Sequence, residues 1–203
     1  MISRLENKKA WLIENATRLF SIYGVRNLTM DELARETGTS KKTLYMFFAT
    51  KAELVTEVVT LLVKDLKGQI RNNKTKAKNA IHEHVLQRNV VEQMITRREL
   101  FNLKDLMSFP GAHAIISAFR HDYLQAATTE NLLEGLRTGV YRPDIDVPVT
   151  AAVVCSFVQF VVFDHFRNER IVHTALDLQV AALVNDVGRL MLHNAVYTDV
   201  HVS

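Results

Sequence analysis

Apolar side chains return at three- and four-residue intervals along almost the whole chain. No alternating run of β-branched residues between turn formers is long enough to predict a strand. The pattern is that of an all-α protein. Leu12, Ile13, Ala16, Leu19, Phe20 and Tyr23 share one helical stripe, and Gly24 follows where a left-handed C-cap is wanted, which predicts a first helix over about 4–23. Thr29 and Glu32 have capping-box spacing, so a second helix starts at Met30, with Met30, Leu33, Ala34 and Thr37 inward and Gly38 as its stop. Ser40 caps a third over 41–48. Thr50 and Glu53 form another capping box, opening a long helix to about Asn72.

Beyond Lys78 the spacing predicts helices to about Thr96 and from Arg98 to Met107, the latter ended by Phe109-Pro110-Gly111. A long helix from Ala112 to Thr138 follows, closed by Gly139. Pro143 and Pro148 lack backbone donors and Asp144 and Asp146 favour turns, so residues 141–148 read as a loop. Two last helices cover about 149–168 and 174–194, and the tail from Val196 should fray. There is no internal repeat and no low-complexity tract.

With 203 residues, 48% of them apolar and 23% charged, the chain can bury a core, and disorder is excluded. The length suits one large domain or a small one joined to a larger one. Cys155 is the single cysteine and has no partner for an internal disulfide, and the first residues lack an apolar run that would read as a secretory signal. A cytoplasmic location is expected. The net charge of +3 hides an uneven distribution: residues 1–78 hold 15 Lys+Arg against 8 Asp+Glu, whereas 79–203 hold 10 against 14. A basic first third fits a local polyanion-binding surface, although a solvated helix face would leave the same trace.

Two short helices joined by a glycine-containing turn, after a longer helix, form a helix-turn-helix whose second helix can enter a DNA major groove. In the helix over 41–48, Leu44 and Phe48 face inward at i and i+4. Lys41, Lys42, Thr43, Tyr45, Met46 and Phe47 are left on or near the outer surface. The lysines and the Thr43 and Tyr45 hydroxyls suit phosphate oxygens, while Met46 and Phe47 suit a thymine methyl or a sugar edge. Lys51 stands in the first turn of the next helix, where free amides favour an anion.

The run Ile13..Ala16..Leu19-Phe20..Tyr23-Gly24, then Leu28-Thr29.Asp31-Glu32-Leu33-Ala34...Gly38-Thr-Ser40, then Thr43-Leu44-Tyr45..Phe48..Lys51.Glu53-Leu54 resembles the DNA-binding region of the TetR family of bacterial transcriptional repressors. The likeness spans about 43 residues with fixed spacing. It implies that Thr29, Ser40, Lys41, Thr43, Tyr45, Phe47 and Lys51 lie at a DNA interface. Phe47 departs from the pattern, since the family often has histidine there, which favours an apolar contact over a phosphate contact. The resemblance further implies an N-terminal three-helix DNA-binding domain, taken as residues 1–50, and a helical ligand-binding and dimerisation domain over 51–203.

Gly139-Val-Tyr-Arg-Pro-Asp-Ile-Asp146 resembles a turn common between two C-terminal helices of that family, with Asp144 and Asp146 holding the turn and capping the next helix. The helix after it is apolar on nearly every face from Ala151 to Phe163, but Ser156, Gln159, Asp164 and His165 interrupt or end it. It is also shorter than the ~20 apolar residues of a membrane span. Burial on two sides is the alternative, one of them against a second subunit. The last helix would add Leu176, Val180, Leu183, Val184, Val187 and Leu190 to a four-helix dimer bundle. Two-fold symmetry would call for a palindromic operator with half-sites ~34 Å apart or a nearby multiple.

By the same resemblance, a small-molecule effector is expected among the helices from 78 to 168. Phe101, Leu103, Met107, Phe109, His113, Phe119, Tyr123, Phe157 and Phe160 are candidate lining residues, each open to the reading of plain core. Aromatic and Met content favours an apolar effector, while His84, His113 and His121 would suit an acid. His82 and His84 are two apart on a helix and face different ways, so no metal or cofactor is expected. A small helical enzyme or carrier is the competing class. The chain has no Gly-rich phosphate loop, no H-E-x-x-H and no G-x-S-x-G, and Cys155, in the most apolar helix, reads as an inert buried thiol. Repression and activation are not separable at this level.

Overall fold

The computed structural model describes residues 2–96, 103–106, 108–163 and 169–198. Side chains are placed in all of these except 2–3, 94–96, 103–104, 159–163, 169–173 and 193–198. Among the described residues the backbone is helical and contains no strand, with one isolated bridge between Tyr141 and Val184. The helices are α1 (Ile2–Tyr23), α2 (Met30–Glu36), α3 (Lys41–Phe47), α4 (Lys51–Lys76), α5 (Ala80–Thr96), α6 (Leu103–Leu106), α7 (Pro110–Ala118), α8 (Gln125–Arg137), α9 (Val147–Phe163), α10 (Glu169–Leu183) and α11 (Asp186–Thr198). A π-helical stretch, Phe119–Leu124, joins α7 to α8. The chain forms two compact units, one of residues 1–65 with 97–118 and the other of 66–96 with 119–203.

In the first unit the inward stripe of α1 is the expected one, except at its end. Leu12, Ile13, Ala16, Leu19 and Phe20 are buried, whereas Tyr23 is half exposed in the last turn. They meet Val25, Leu28, Met30, Leu33 and Ala34 around α2, Leu44 and Phe48 from α3, and Leu54, Val55, Val58 and Val59 from α4. Each fully buried side chain of this size contributes on the order of 2 kcal/mol. Phe48 has no exposed surface and holds the end of α3 in this core.

The second unit is built around Ala80, Ile81, Leu132, Val140, Tyr141, Ala151, Leu183 and Val184. Asp146 caps α9 as expected, its carboxylate accepting the Val149 amide at 3.0 Å, and Asp144 pairs with Arg142 at 3.6 Å. Three predicted elements change. Pro110, read as part of a stop, instead opens α7, where a missing N–H costs nothing. The single helix expected from Ala112 to Thr138 contains the π-helical stretch, which leaves no mark on hydrophobic spacing.

The helix expected over 174–194 is two helices. The break lies at Val184–Asn185, where Asn185 donates to Gly139 O at 2.8 Å and accepts the Gly188 amide at 2.9 Å. Gly188 fits there because a Cβ would press on the Val140 carbonyl oxygen. This geometry also redistributes the residues assigned to a dimer bundle. Leu176, Val180, Leu183 and Val184 are buried in their own unit, whereas Leu178, Val187, Leu190 and Met191 are exposed. On α9, Ala151 and Val154 are buried and Val149 and Val153 are exposed, so one apolar face is covered and another lies open.

Candidate nucleic-acid interface

The sequence fixes the interface elements through their caps. Thr29 Oγ1 accepts the Glu32 amide at 3.2 Å, and the Glu32 carboxylate accepts the Thr29 amide at 2.7 Å, the full capping box at the start of α2. That bond to the Thr29 backbone is the main reason the Glu32 carboxyl is held below its ordinary range. After α2, Gly38 adopts a φ of 61°, a left-handed turn that side chains with a Cβ adopt only under strain. The chain then reverses into α3. Ser40 caps α3, its hydroxyl accepting the Thr43 amide at 3.0 Å and lying 2.8 Å from the Thr43 hydroxyl. At the start of α4 the second box is altered. Thr50 accepts the Glu53 amide at 3.1 Å, but the Glu53 carboxylate takes the Ala49 amide at 2.7 Å instead of that of Thr50.

With α3 anchored by Leu44 and Phe48, its other face is open. Met46 is 63% and Tyr45 48% exposed, and Lys41 and Lys42 are exposed beside them. Thr43 and Phe47 are half-buried, the Phe47 ring tilted against that of Phe48 with centroids 6.4 Å apart. Thr29 and Ser40 are exposed at the starts of α2 and α3. The two leading lysines differ in a way their adjacency does not reveal. Lys41 forms an ion pair with Asp31 of α2, whereas Lys42 has no ion pair among the described residues.

Lys51 is also committed. Its ammonium donates to Arg26 O at 3.4 Å and lies 5.9 Å from the centre of the Phe109 ring, and burial lowers its pKa against the opposing pull of Glu32 and Asp105. Arg26 and Asp105 carry no motif, and only the folded chain brings them to Lys51.

Of the residues expected to line an effector site, Phe109 and His113 are half-buried in the first unit, and Phe119, Tyr123 and Phe157 are half-buried in the second. The Phe119 and Tyr123 rings stack with centroids 5.9 Å apart, and Tyr123 donates to Lys67 O at 3.1 Å. Phe101, Met107 and the side chains of Leu103 and Phe160 lie outside the described residues. His84 sits where burial drives its pKa down to about 4, so it is neutral at physiological pH. His82 instead accepts the Lys78 amide at 3.1 Å, near the start of α5. Among the described residues no group of three or more His, Cys, Asp or Glu is placed to hold a metal ion. Cys155 is only half-buried, 3.6 Å from the Thr128 hydroxyl, and burial raises its thiol pKa, which keeps it protonated. No described helix is long and apolar enough to cross a membrane.

A capped, glycine-turned helix pair on a three-helix core, followed by a larger helical unit, defines a helix-turn-helix DNA-binding regulator. Residues 12–58 match the family model of bacterial regulatory proteins, tetR family. Over 183 residues the chain is 25% identical to the uncharacterized HTH-type transcriptional regulator YhgD of Bacillus subtilis (strain 168), covering 87% of this chain and 91% of that protein. The chain is thus similar to the tetR family of bacterial regulatory proteins over its helix-turn-helix segment, and to one HTH-type regulator along most of its length. Its fold is shared with the ketosteroid transcriptional regulator KstR2 of Mycobacterium tuberculosis, at a TM-score of 0.67 and 19% identity, covering 88% of this chain and 96% of that one. It is also shared with the fatty acid degradation regulator FadR of Bacillus halodurans, at 0.67 and 16%, covering 85% and 94%.

Proposed function

We propose that this regulator is a cytoplasmic homodimeric repressor that leaves a palindromic operator when a small molecule binds. The open face of α3, with Lys42, Tyr45 and Met46 exposed around buried Leu44 and Phe48, carries the DNA reading. Lys41, Lys42, Lys51 and the hydroxyls of Thr29, Ser40, Thr43 and Tyr45 take phosphate oxygens, and Met46 and Phe47 meet thymine methyls or sugar edges. Residues 1–50, with Lys51 at the start of α4, do this work, and the rest of 51–203 holds the effector and the second subunit.

The open apolar face of Val149 and Val153, with exposed Leu178, Val187, Leu190 and Met191, supports the dimer, because patches of this kind on a folded unit call for a partner. An apolar effector fits the half-buried Phe119, Tyr123 and Phe157, and two proteins of the same fold are named for ketosteroids and for fatty acid degradation. The effector shifts a two-state equilibrium through α4, which runs on from the DNA-reading segment, by binding one separation of the recognition helices better than the other.

Selection of bound sequences from a random duplex pool by the full-length protein tests this reading. Enrichment of an inverted repeat, together with a dimer mass in solution, is the expected result. Recovery of unordered sequences, or a monomer that binds one half-site, would refute it.

A further inference from the structure

Asp105, on the short helix α6, lies about 80 residues beyond the turn that joins α1 to α2, yet it packs against that turn. A Cβ placed on Gly24 would be 3.6 Å from its Oδ2. Arg26 Nε lies 4.0 Å from its Oδ1, and Lys51 donates to the carbonyl of the same Arg26. The Asp105 side chain is 15% exposed, against 63% for Arg26. Its backbone is tied on the C-terminal side: the Ser108 amide donates to Asp105 O at 3.3 Å, the Phe109 amide donates to Leu106 O at 2.9 Å, and Leu106 is buried. One carboxylate, largely shielded from water, therefore pairs with Arg26, whose carbonyl in turn holds Lys51, and its charge also acts on Lys51.

We propose that Asp105 is a positioning residue for DNA binding, an internal counter-ion that competes with DNA phosphates for Lys51 and Arg26. A charge withdrawn from solvent is screened less than a surface charge, so it subtracts from the potential a phosphate meets at both cations. Lys51 is held inward on Arg26 O and over the Phe109 ring, and must exchange these partners to reach DNA. The opposing effects of burial and of the Glu32 and Asp105 charges on Lys51 fit this tethered state. The positions of Asp105 and Phe109 then set how much of the Lys51 and Arg26 charge is available. That makes the pair a direct control on affinity, with no change in α3 required.

The proposal rests on Lys51 facing DNA, and the experiment separates the two ideas. Binding of the full-length protein to a mixed-sequence duplex of about 40 base pairs is followed by fluorescence anisotropy across a salt series. Asp105→Asn should bind about three- to tenfold more tightly at low salt. Its log K against log salt should steepen by about 0.9 for each subunit in contact. Asp105→Glu should keep the wild-type slope, and Lys51→Ala should cancel most of the gain from Asp105→Asn. Asp105→Ser, which removes the charge with a smaller side chain, should reproduce the steeper slope if Asp105→Asn folds poorly. Unchanged or weaker binding by the charge-removing variants, or the full gain surviving Lys51→Ala, overturns the proposal. Absence of salt-dependent binding by the wild type overturns the DNA-facing reading itself, and this proposal with it.

Discussion

Lys41 and Lys42 are neighbours of identical chemistry at the start of α3, the proposed recognition helix, and the structure predicts that they contribute unequally to DNA binding. Lys42 has no ion pair among the described residues, so on reaching a phosphate it releases a condensed counterion in full. Lys41 already pairs with Asp31, and binding exchanges one anion for another. One lost phosphate contact lowers the slope of log K against log salt by about 0.9, or about 1.8 for a dimer with both subunits engaged. Between about 50 and 200 mM salt, a change of 1.8 in slope is worth about a factor of twelve. The deficit of Lys42→Ala relative to wild type should therefore shrink by about an order of magnitude over that range, while that of Lys41→Ala shrinks much less. Asp31→Asn should make Lys41 behave like Lys42. Anisotropy titrations of the three variants at four salt concentrations measure this directly. Equal slopes for Lys41→Ala and Lys42→Ala, with no effect of Asp31→Asn, would refute the assignment of Lys41 as internally neutralised.

Gly188→Ala should destabilise the second unit by about 1–3 kcal/mol, because its Cβ presses on the Val140 carbonyl, and a lower denaturant midpoint at unchanged m-value reports it. Ser40→Ala removes the α3 cap and should cost about 1 kcal/mol, seen as a lower midpoint together with weaker DNA binding. His84 binds its proton less readily folded than unfolded, with a folded pKa of about 4 against an ordinary 6.5. Its stabilising effect is complete above 6.5 and falls away as pH drops towards 4. His84→Gln should flatten the stability profile in that window, and a profile as steep as wild type would count against a buried neutral imidazole. Glu32 is shifted down, so its contribution is present above the ordinary 4.5 and lost as pH falls through its lower folded value. Thr29→Ala should remove part of that acid sensitivity, read from unfolding midpoints at pH 3 and 6.

The first four helices were legible because their boundaries are set within a few residues of sequence. Thr29, Ser40 and Thr50 cap locally, Gly38 turns locally, and the inward stripe from Leu12 to Phe20 follows a single period. Tyr23 escaped the pattern because the stripe says which side of a helix faces inward, not whether the core extends to its last turn. Farther along, boundaries depend on contacts distant in sequence. Asn185 breaks the last helical run by bonding to Gly139 and Tyr141, more than forty residues earlier, so neither proline nor glycine marks the break. Pro110 is ambiguous for the opposite reason, since proline both ends one helix and starts the next. On α3 the exposed residues could be read from the i, i+4 pair of Leu44 and Phe48, while the ion pair of Lys41 and the carbonyl and ring contacts of Lys51 could not. Effector residues were the least legible, because half-buried aromatics in a helical unit carry the same spacing whether they line a ligand or pack a core.

Those commitments alter the meaning of the basic surplus in the first third of the chain. Lys9 is held by Glu57 at 2.7 Å, Arg35 by Glu36 at 3.4 Å, Lys41 by Asp31, and Arg26 stands 4.0 Å from Asp105. Glu57, Glu36 and Asp31 already stand in the charge balance of that segment, so these pairs show where its surplus does not sit, and of these carboxylates only Asp105 draws on it from outside. Lys42, Tyr45 and Met46 of α3 are exposed beside the paired Lys41. When phosphate contacts compete with internal carboxylates, a small change in the position of a carboxylate such as Asp105 alters affinity without disturbing the residues that read sequence.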